Sequence, residues 1–307
     1  MKIAVAGSSG LIGSALVTYL RTMGHDVRRF VRREPEAPDE VFWEPERELI
    51  DAGVLEGLDV VVHLGGVSIA ARRWSASFKE RIRNSRVRST KLLVETFGKL
   101  SLPPSSFLCA SAIGYYGNRG EEILTEDSSP GRGFLASVVE EWENTARTAE
   151  KHGIRVVNLR FGQVLARHGG AVSALLPVFR MGLGGPIGSG RAWWSWILLD
   201  DVCRAIEFIM RHKEINGPVN LTSPCPARNR DFTRALARAV HRPAILPVPP
   251  IVLRVLFGQF AEEVLLTSAR VIPARLQEKG LTFTFPHIDA ALAKIFEKNN
   301  NEQTSVI

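Results

Sequence analysis

Cysteine is scarce in this sequence. Its three cysteines, Cys109, Cys203 and Cys225, stand far apart, and none belongs to a C-x-x-C pair. That spacing excludes a disulfide framework and a cysteine zinc site, and it is typical of a reducing compartment. No other metal-ligand spacing is present, so we expect no metal.

Long apolar runs and concentrated charge are lacking as well. No stretch approaches the length of a membrane span, and the chain opens on a strand pattern rather than a signal peptide. The net charge of +7 is spread over short clusters such as Arg28 and Arg29, with no basic stripe between stacking aromatics. We therefore expect a cytoplasmic protein that binds a small-molecule substrate, with neither nucleic acid nor membrane as a partner.

The strongest motif lies in the first thirteen residues. An apolar strand pattern over residues 3–6 runs into Gly7, Gly10 and Gly13, and an apolar helix pattern begins at Leu11. A strand that ends in glycines and opens into a helix presents backbone N–H groups to an anion, usually the pyrophosphate of a dinucleotide. The alternative interpretation is a plain structural turn.

The end of the second strand pattern, residues 26–31, indicates which dinucleotide binds. An acidic residue there would bind the ribose 2′-hydroxyl of NAD, whereas arginine accommodates a 2′-phosphate. This chain has Arg32 and Arg33 there, and the first acidic residue after the strand is Glu34. The pattern favours NADP(H), with two solvated arginines in a turn as the alternative.

Strand and helix patterns alternate along the first half of the chain. Helices are predicted over 11–23, 75–100 and 134–152, between further strands at 59–64, 107–111 and 154–159. This order predicts an α/β fold, a Rossmann-type doubly wound parallel sheet with right-handed crossovers and a smaller mixed C-terminal domain. Ligands of such sheets bind beyond the carboxyl ends of the strands, where Gly65 and Gly66 follow the strand at 59–64. We expect His63 to be a packed core residue and the basic side chains of helix 75–100 to be mostly solvated.

The predicted domains divide near residue 165. Residues 1–165 form the NADP-binding domain, to which later strands and helices partly return, and residues 166–298 form the substrate domain. A strand is expected at 282–285, a helix from His287, and a frayed tail at 299–307. The carboxylates of Glu141 and Glu143 are expected on a solvated helix face.

Several stretches resemble one family. They are the glycine motif, Ser-Ala-Ile-Gly-Tyr-Tyr-Gly at 111–117, Trp142-Glu143, the glycine-rich 184–190 and Arg242-Pro243. Together they resemble the bacterial epimerase family proteins of the extended and atypical short-chain dehydrogenase/reductases, which are NAD-dependent epimerase/dehydratase-like, with a family-specific end at about 246–298. The resemblance implies a cofactor lining of Gly7, Ser9, Gly10, Leu11, Ile12, Arg32, Leu64, Gly65 and Ser111, with Phe161 and Gly162 near the nicotinamide. Gly13, Arg33 and Gly66 complete the expected set from their own motifs.

The catalytic pair of that superfamily is lacking. Its chemistry needs a tyrosine with a lysine four residues later, and none of Tyr19, Tyr115 and Tyr116 has one. On the helix that should carry the pair, Phe134 and Val138 stand at the expected places. An unperturbed phenol titrates near ~10, so a tyrosine without such help is a poor base at neutral pH.

Two hypotheses follow. The first is an NADP-dependent oxidoreductase or sugar-nucleotide-type epimerase with a relocated acid/base, for which Ser111, Tyr115 and Tyr116 are the candidates. The second is an NADP(H)-binding sensor or interaction scaffold without turnover. A homodimer through helices 75–100 and 134–152 is a further expectation, since members of the superfamily often pair through two long helices.

Overall fold

The computed structural model describes residues 1–297. The predicted tail at 299–307 lies outside the described residues. Within them the strands, in chain order, are β1 (Lys2–Ala6), β2 (Asp26–Val31), β3 (Glu40–Glu44), β4 (Leu49–Ile50), β5 (Val60–His63), β6 (Ser106–Ala112), β7 (Ile123–Leu124), β8 (Arg155–Phe161), β9 (Gln163–Leu165), β10 (Trp193–Trp194), β11 (Trp196–Leu198), β12 (Gly217–Leu221), β13 (Ala227–Arg228) and β14 (Arg270–Val271).

Eight of these strands form one sheet in the order β12-β8-β6-β5-β1-β2-β3-β4. All neighbours pair in parallel except β3 and β4, which are antiparallel. The order reverses at β1, between β5 and β2. Open parallel sheets place a crevice at such a switch point, beyond the carboxyl ends of the strands.

Helices cover both faces of this sheet, which confirms the doubly wound fold. Within residues 1–297 the helices are α1 (Leu11–Thr22), α2 (Ala76–Phe97), α3 (Phe134–Arg147), α4 (Gly170–Arg180), α5 (Leu199–Arg211), α6 (Asn229–Ala239), α7 (Pro250–Phe257), α8 (Ala274–Glu278) and α9 (Ile288–Phe296). Helices α1 and α5 pack one face, through side chains such as Leu16 and Ile206 against Val5. Helices α2 and α3 pack the other, through Phe97 and Trp142. No helix in residues 1–297 is long and apolar enough to cross a membrane.

A smaller part sits beside the sheet and has its own core. Trp196, Phe232 and Leu292 are buried there, on β11, α6 and α9. The strands of this part pair in twos, β11 with β9, β10 with β13, and β14 with β7. Helix α5 and strand β12 come from beyond residue 165 yet join the large sheet layer, so the chain crosses between the two parts more than once.

Two expectations about elements need correction. The helix predicted over 134–152 ends at Arg147 and continues as a 3-10 turn over Thr148–His152. The strand predicted at 282–285 is wrong, because the Thr284 amide and hydroxyl donate to the buried Asp201 carboxylate rather than to a neighbouring strand. Its apolar neighbours Phe283 and Phe285 pack into two different cores.

Candidate functional site

A cleft of about 560 Å³ opens at the carboxyl ends of β1, β5, β6 and β8. One wall comes from the glycine motif and the β5 end, and the opposite wall comes from α3 and the smaller part. Of the predicted cofactor residues, those that line this cleft are Gly7, Gly10, Leu11, Ile12, Gly13, Leu64, Gly65, Gly66, Ser111, Phe161 and Gly162. The structure therefore brings most of the predicted set together.

The glycine motif fits its turn because side chains are excluded there. Gly7 has φ +79°, and a Cβ on it would lie 2.7 Å from the Leu64 carbonyl carbon. A Cβ on Gly13 would lie 2.1 Å from the Gly7 carbonyl oxygen. The first position is a left-handed turn, which glycine favours, and the second lets α1 pack directly on the turn.

The amino end of α1 faces the cleft. Gly10 is its N-cap, and no side chain within residues 1–297 caps the first helical amides. Free N–H groups at a helix start, together with the helix dipole, favour an anion. The donor set of Leu11, Ile12 and Gly13 thus fits a pyrophosphate. Ser9 is exposed in the turn and is not among the described residues that line the cleft.

The two arginines after β2 have different surroundings. Arg33 is held by Glu40, with Nη1–Oε2 and Nη2–Oε1 distances of 2.8 and 2.7 Å. Arg32 instead lines a second cleft of about 510 Å³, whose lining includes Val67, the residue after Gly66 of the first cleft. Arg81 and Arg88 of α2 line the same space. Arg32 is therefore the better placed of the pair to meet a phosphate.

His63 is a core residue, as expected. It is fully buried, with Nε2 2.9 Å from the Ser89 hydroxyl and its ring edge-on to Trp43. Burial, with the nearby positive charges of Arg32 and Arg86, lowers the pKa of His63 to about 3. The imidazole is neutral at physiological pH and serves packing.

Arg86 is the basic residue of α2 that lines the cleft. A Cβ on Gly66 would lie 3.3 Å from its Cζ atom, and its guanidinium sits 5.4 Å from the Trp142 ring centroid. It donates to the Ile82 carbonyl, and no carboxylate within residues 1–297 pairs with it. Desolvation lowers the pKa of Arg86 to about 10, and no counter-charge within residues 1–297 offsets the burial of this cation. A bound anion or polar ligand would supply that compensation.

Ser111 connects the cleft to a buried ion pair. Its hydroxyl donates to Glu143 Oε1 at 2.5 Å, and Arg160 binds the same carboxylate through Nε and Nη2 at 2.7 and 2.8 Å. Glu143 is only 2% exposed. The expectation of a solvated Glu143 is wrong, because α3 turns this residue toward the arginine of β8 and pairs it there. Glu141 does lie on the outer face, bound to Arg83.

The two candidate tyrosines lie behind the cleft wall. Tyr116 is fully buried, donates to Asn220 Oδ1 at 2.7 Å and accepts from Arg160 Nη1 at 2.9 Å. Burial raises the pKa of Tyr116 to about 12. Tyr115 stacks on the Arg160 guanidinium, 3.6 Å from its ring centroid. Among the described residues that line the cleft, neither tyrosine is present, an arrangement that favours structural roles.

Helix α3 offers the cleft an apolar face. Leu135, Val138, Val139 and Trp142 line it at helical spacing. Val138 stands where the lysine was expected, whereas Phe134, at the tyrosine position, is not among the described residues that line the cleft. Above them Glu263, from the smaller part, accepts from the Phe134 and Leu135 amides at 3.0 and 2.7 Å. Glu263 thus caps α3 and also lines the cleft.

This sheet with a glycine cradle at its switch point defines a dinucleotide-binding Rossmann fold of the extended short-chain dehydrogenase/reductase class. The chain belongs to the NAD dependent epimerase/dehydratase family, whose model matches residues 3–222, and a domain of unknown function, DUF1731, matches residues 248–295. The expected family and fold class are thereby confirmed.

Its relatives carry the family name. It is 44% identical over 290 residues to an epimerase family protein of Mycobacterium bovis, covering 94% of this chain and 96% of the relative. The crystal structure of human epimerase family protein SDR39U1 (isoform 2) with NADPH matches with a TM-score of 0.89 and 32% identity, over 97% of this chain and 100% of that chain. A nucleoside-diphosphate sugar epimerase from Corynebacterium glutamicum matches with a TM-score of 0.80 and 37% identity, over 96% of this chain and 58% of that one.

Proposed function

We propose that this protein binds NADP(H) in the cleft and acts as an oxidoreductase on a small substrate with an apolar body. The observation that carries the proposal is the uncapped amino end of α1 above Gly7 and Gly13, which suits a pyrophosphate. The crystal structure of the human relative with NADPH supports the choice of dinucleotide. When bound, NADP(H) supplies or accepts the hydride.

Arg32 would select the phosphorylated cofactor. It follows β2, where a 2′-phosphate is read, and it shares its cleft with Arg81 and Arg88. Arg33 would act indirectly, because its bond to Glu40 fixes the loop after β2.

The apolar lining favours an alcohol or carbonyl compound over a nucleotide sugar. Sites for sugars place hydrogen-bonding groups against each hydroxyl, because a buried unpaired polar group is costly. Here α3 contributes Leu135, Val138 and Val139, the smaller part adds Val264 to the same wall, and Ile69 lines the cleft beyond the β5 end. The polar groups among them are few, and Ser111 stands beside Phe161 and Gly162 at the β6 and β8 ends.

Ser111 would orient the reacting oxygen. Its proton is engaged by Glu143, so the lone pairs of its oxygen are left to accept a hydrogen bond from a substrate hydroxyl. During oxidation the substrate hydroxyl proton passes to Ser111 Oγ while the Ser111 proton passes to Glu143. In the direction of reduction the protons move back along the same hydrogen bonds, from Glu143 to Ser111 Oγ and from Ser111 Oγ to the substrate oxygen. This route relocates the acid/base from Tyr115 and Tyr116 to Ser111 and Glu143.

One observation favours the alternative, a silent NADP(H)-binding sensor or scaffold. The α3 face that carries tyrosine and lysine in the superfamily is apolar in this chain. The two functions differ in one measurement: the sensor binds NADPH with no hydride transfer to any of a broad panel of aldehydes and ketones. The oxidoreductase reduces at least one of them.

The test begins with calorimetric titration of NADPH and NADH, followed by that panel with absorbance at the nicotinamide band. We expect NADPH to bind more tightly than NADH. Ser111→Ala should then remove turnover while NADPH affinity is kept, whereas Tyr115→Phe should leave turnover largely intact. Equal affinity for the two dinucleotides would contradict the role of Arg32, and turnover that survives Ser111→Ala would contradict the proton route.

A cytoplasmic location and a homodimer through α2 and α3 are further proposals. The outer faces of these two helices are joined by the Arg83–Glu141 ion pair, which leaves a charged surface there. Size-exclusion chromatography with light scattering tests the dimer.

A further inference from the structure

Helix α7 presents apolar side chains to solvent. Ile251, Val252, Val255 and Leu256 share one face by helical spacing and are between 43% and 65% exposed. The buried side of the same helix is occupied by Leu253. An exposed apolar surface of this kind marks a site that binds another protein or a membrane.

The segment before α7 also carries exposed apolar side chains. Ile245 is 77% exposed and Leu246 is 51% exposed. Between them and α7, Val248 exchanges backbone hydrogen bonds with Pro186 and Gly188 of the glycine-rich loop, which fixes this part of the segment. We call residues 245, 246, 251, 252, 255 and 256 the apolar patch.

Positive charge flanks the apolar patch. Arg254 lies within α7, Arg242 precedes Ile245, and Arg73 packs against Gly258 at the end of α7. Arg254 pairs with Glu262, but neither Arg73 nor Arg242 has a carboxylate partner within residues 1–297. Arg242 instead donates to the carbonyl of Arg180, another cation at the edge of this surface.

We propose that the apolar patch docks on an anionic phospholipid membrane surface. A short helix with an exposed apolar face and flanking arginines lies in the interface plane, its apolar side chains among the acyl chains and its cations at the headgroups. A second copy of this chain suits the patch less well. A two-fold contact would bring the arginines that flank the patch in both copies together, and their repulsion opposes that contact.

This proposal revises the expectation of no membrane partner. That expectation rested on the absence of a long apolar run, which excludes a span but not a helix lying on the surface. The docking does not depend on the proposed function. It would place at the membrane the segment that continues from α7 through Phe260 to Glu263 and Val264, which line the cleft.

Co-sedimentation of the full chain with vesicles tests the proposal. With vesicles of phosphatidylglycerol and phosphatidylcholine in equal parts we expect binding, and with phosphatidylcholine alone much weaker binding. Leu256→Glu should lower the affinity for the mixed vesicles about tenfold or more, since it removes buried apolar area and adds like charge. Arg242→Gln should lower it by a smaller factor and flatten its salt dependence.

Leu102→Glu is the matched control. Leu102 is 66% exposed but lies in the loop before β6, at the amino edge of the sheet. The Leu102→Glu variant should bind the mixed vesicles as tightly as the unaltered chain does. NADPH titration of every variant should give unchanged affinity, so a failure of docking is distinct from a failure of the cofactor site. Absence of vesicle binding, equal loss with Leu102→Glu, or a solution dimer that Leu256→Glu dissociates would each overturn the proposal.

Discussion

The Ser111 hydroxyl and the Glu143 carboxylate, 32 residues apart in the chain, meet at 2.5 Å beneath the cleft. Ser111 lies near the carboxyl end of β6, and Glu143 lies on α3, which packs over that strand. Because Arg160 closes on the same carboxylate, the three side chains form one buried unit that reaches the ligand only through Ser111.

Breaking this unit should lower the free energy of unfolding. Glu143→Gln leaves the Arg160 guanidinium buried without its counter-charge, and loss of one partner of such a pair destabilises a fold by about 3 kcal/mol or more. Urea denaturation measures the change. Glu141→Gln is the control on the same helix, where an exposed pair with Arg83 should contribute less than about 1 kcal/mol. Equal losses in the two variants would contradict a special role for burial at Glu143.

The glycine cradle makes a second prediction. Gly13→Ala should lower the free energy of unfolding by about 2 kcal/mol or more and abolish NADPH binding, because its Cβ meets the Gly7 carbonyl oxygen and pushes α1 off the turn. Gly10→Ala is the control for the fold, since its Cβ comes no closer than 3.4 Å to that oxygen. Thermal unfolding with calorimetric titration separates the two. A fully stable Gly13→Ala would refute the packing argument.

Arg32 and Arg33 should differ in cofactor selection. Arg32→Gln should reduce the ratio of NADPH to NADH affinity at least about tenfold, which corresponds to ~1.4 kcal/mol for one lost charge-assisted contact. Arg33→Gln should leave the ratio nearly unchanged, because that side chain is engaged by Glu40. Competition titrations of both dinucleotides give the ratio. The reverse ranking would show that the loop after β2 reorganises on binding.

His63 should make stability depend on pH below neutrality. Its pKa is about 3 in the fold and 6.5 in an unfolded chain, so between these values the unfolded chain binds one more proton. The contribution of His63 to the free energy of unfolding is therefore fully present above pH 6.5. As the pH drops below that value, the free energy of unfolding falls by up to about 1.4 kcal/mol per pH unit. We expect His63→Asn to remove about 2 kcal/mol of the difference between pH 7 and pH 5 in urea denaturation. The exposed His168→Gln should leave it unchanged.

Local sequence patterns were enough to predict the central strands of the large sheet and the glycine cradle after β1. The strand at residues 2–6, the glycines after it and the start of α1 are adjacent in sequence, so turn sterics and helix periodicity determine them together. The same holds for the ends of β5 and β6, where Gly65 and Ser111 were expected at the ligand edge. The edge strands β3 and β4 of the large sheet and the strands of two or three residues in the smaller part were not predicted, because their pairing depends on partners outside the local pattern.

Side chains whose roles arise from long-range contacts were harder to predict. Glu143 has the same local pattern as its solvated neighbour Glu141, and only the position of Arg160 across the sheet distinguishes them. Arg86 is one of six basic residues on α2, and only the approach of Gly66 and Trp142 distinguishes it from the others. Glu263 lies 128 residues from the amide that it caps, and no motif marks it.

The Glu263 contact also bears on how this chain can be divided. Residues 248–295 match a sequence domain of their own, yet this segment supplies the carboxylate that starts α3 and part of the wall that a substrate would touch. Exchange of that segment between relatives would therefore replace the N-terminal cap of α3 and a substrate contact at the same time. A chimaera joined near residue 247 should inherit its stability and its substrate preference from the same parent.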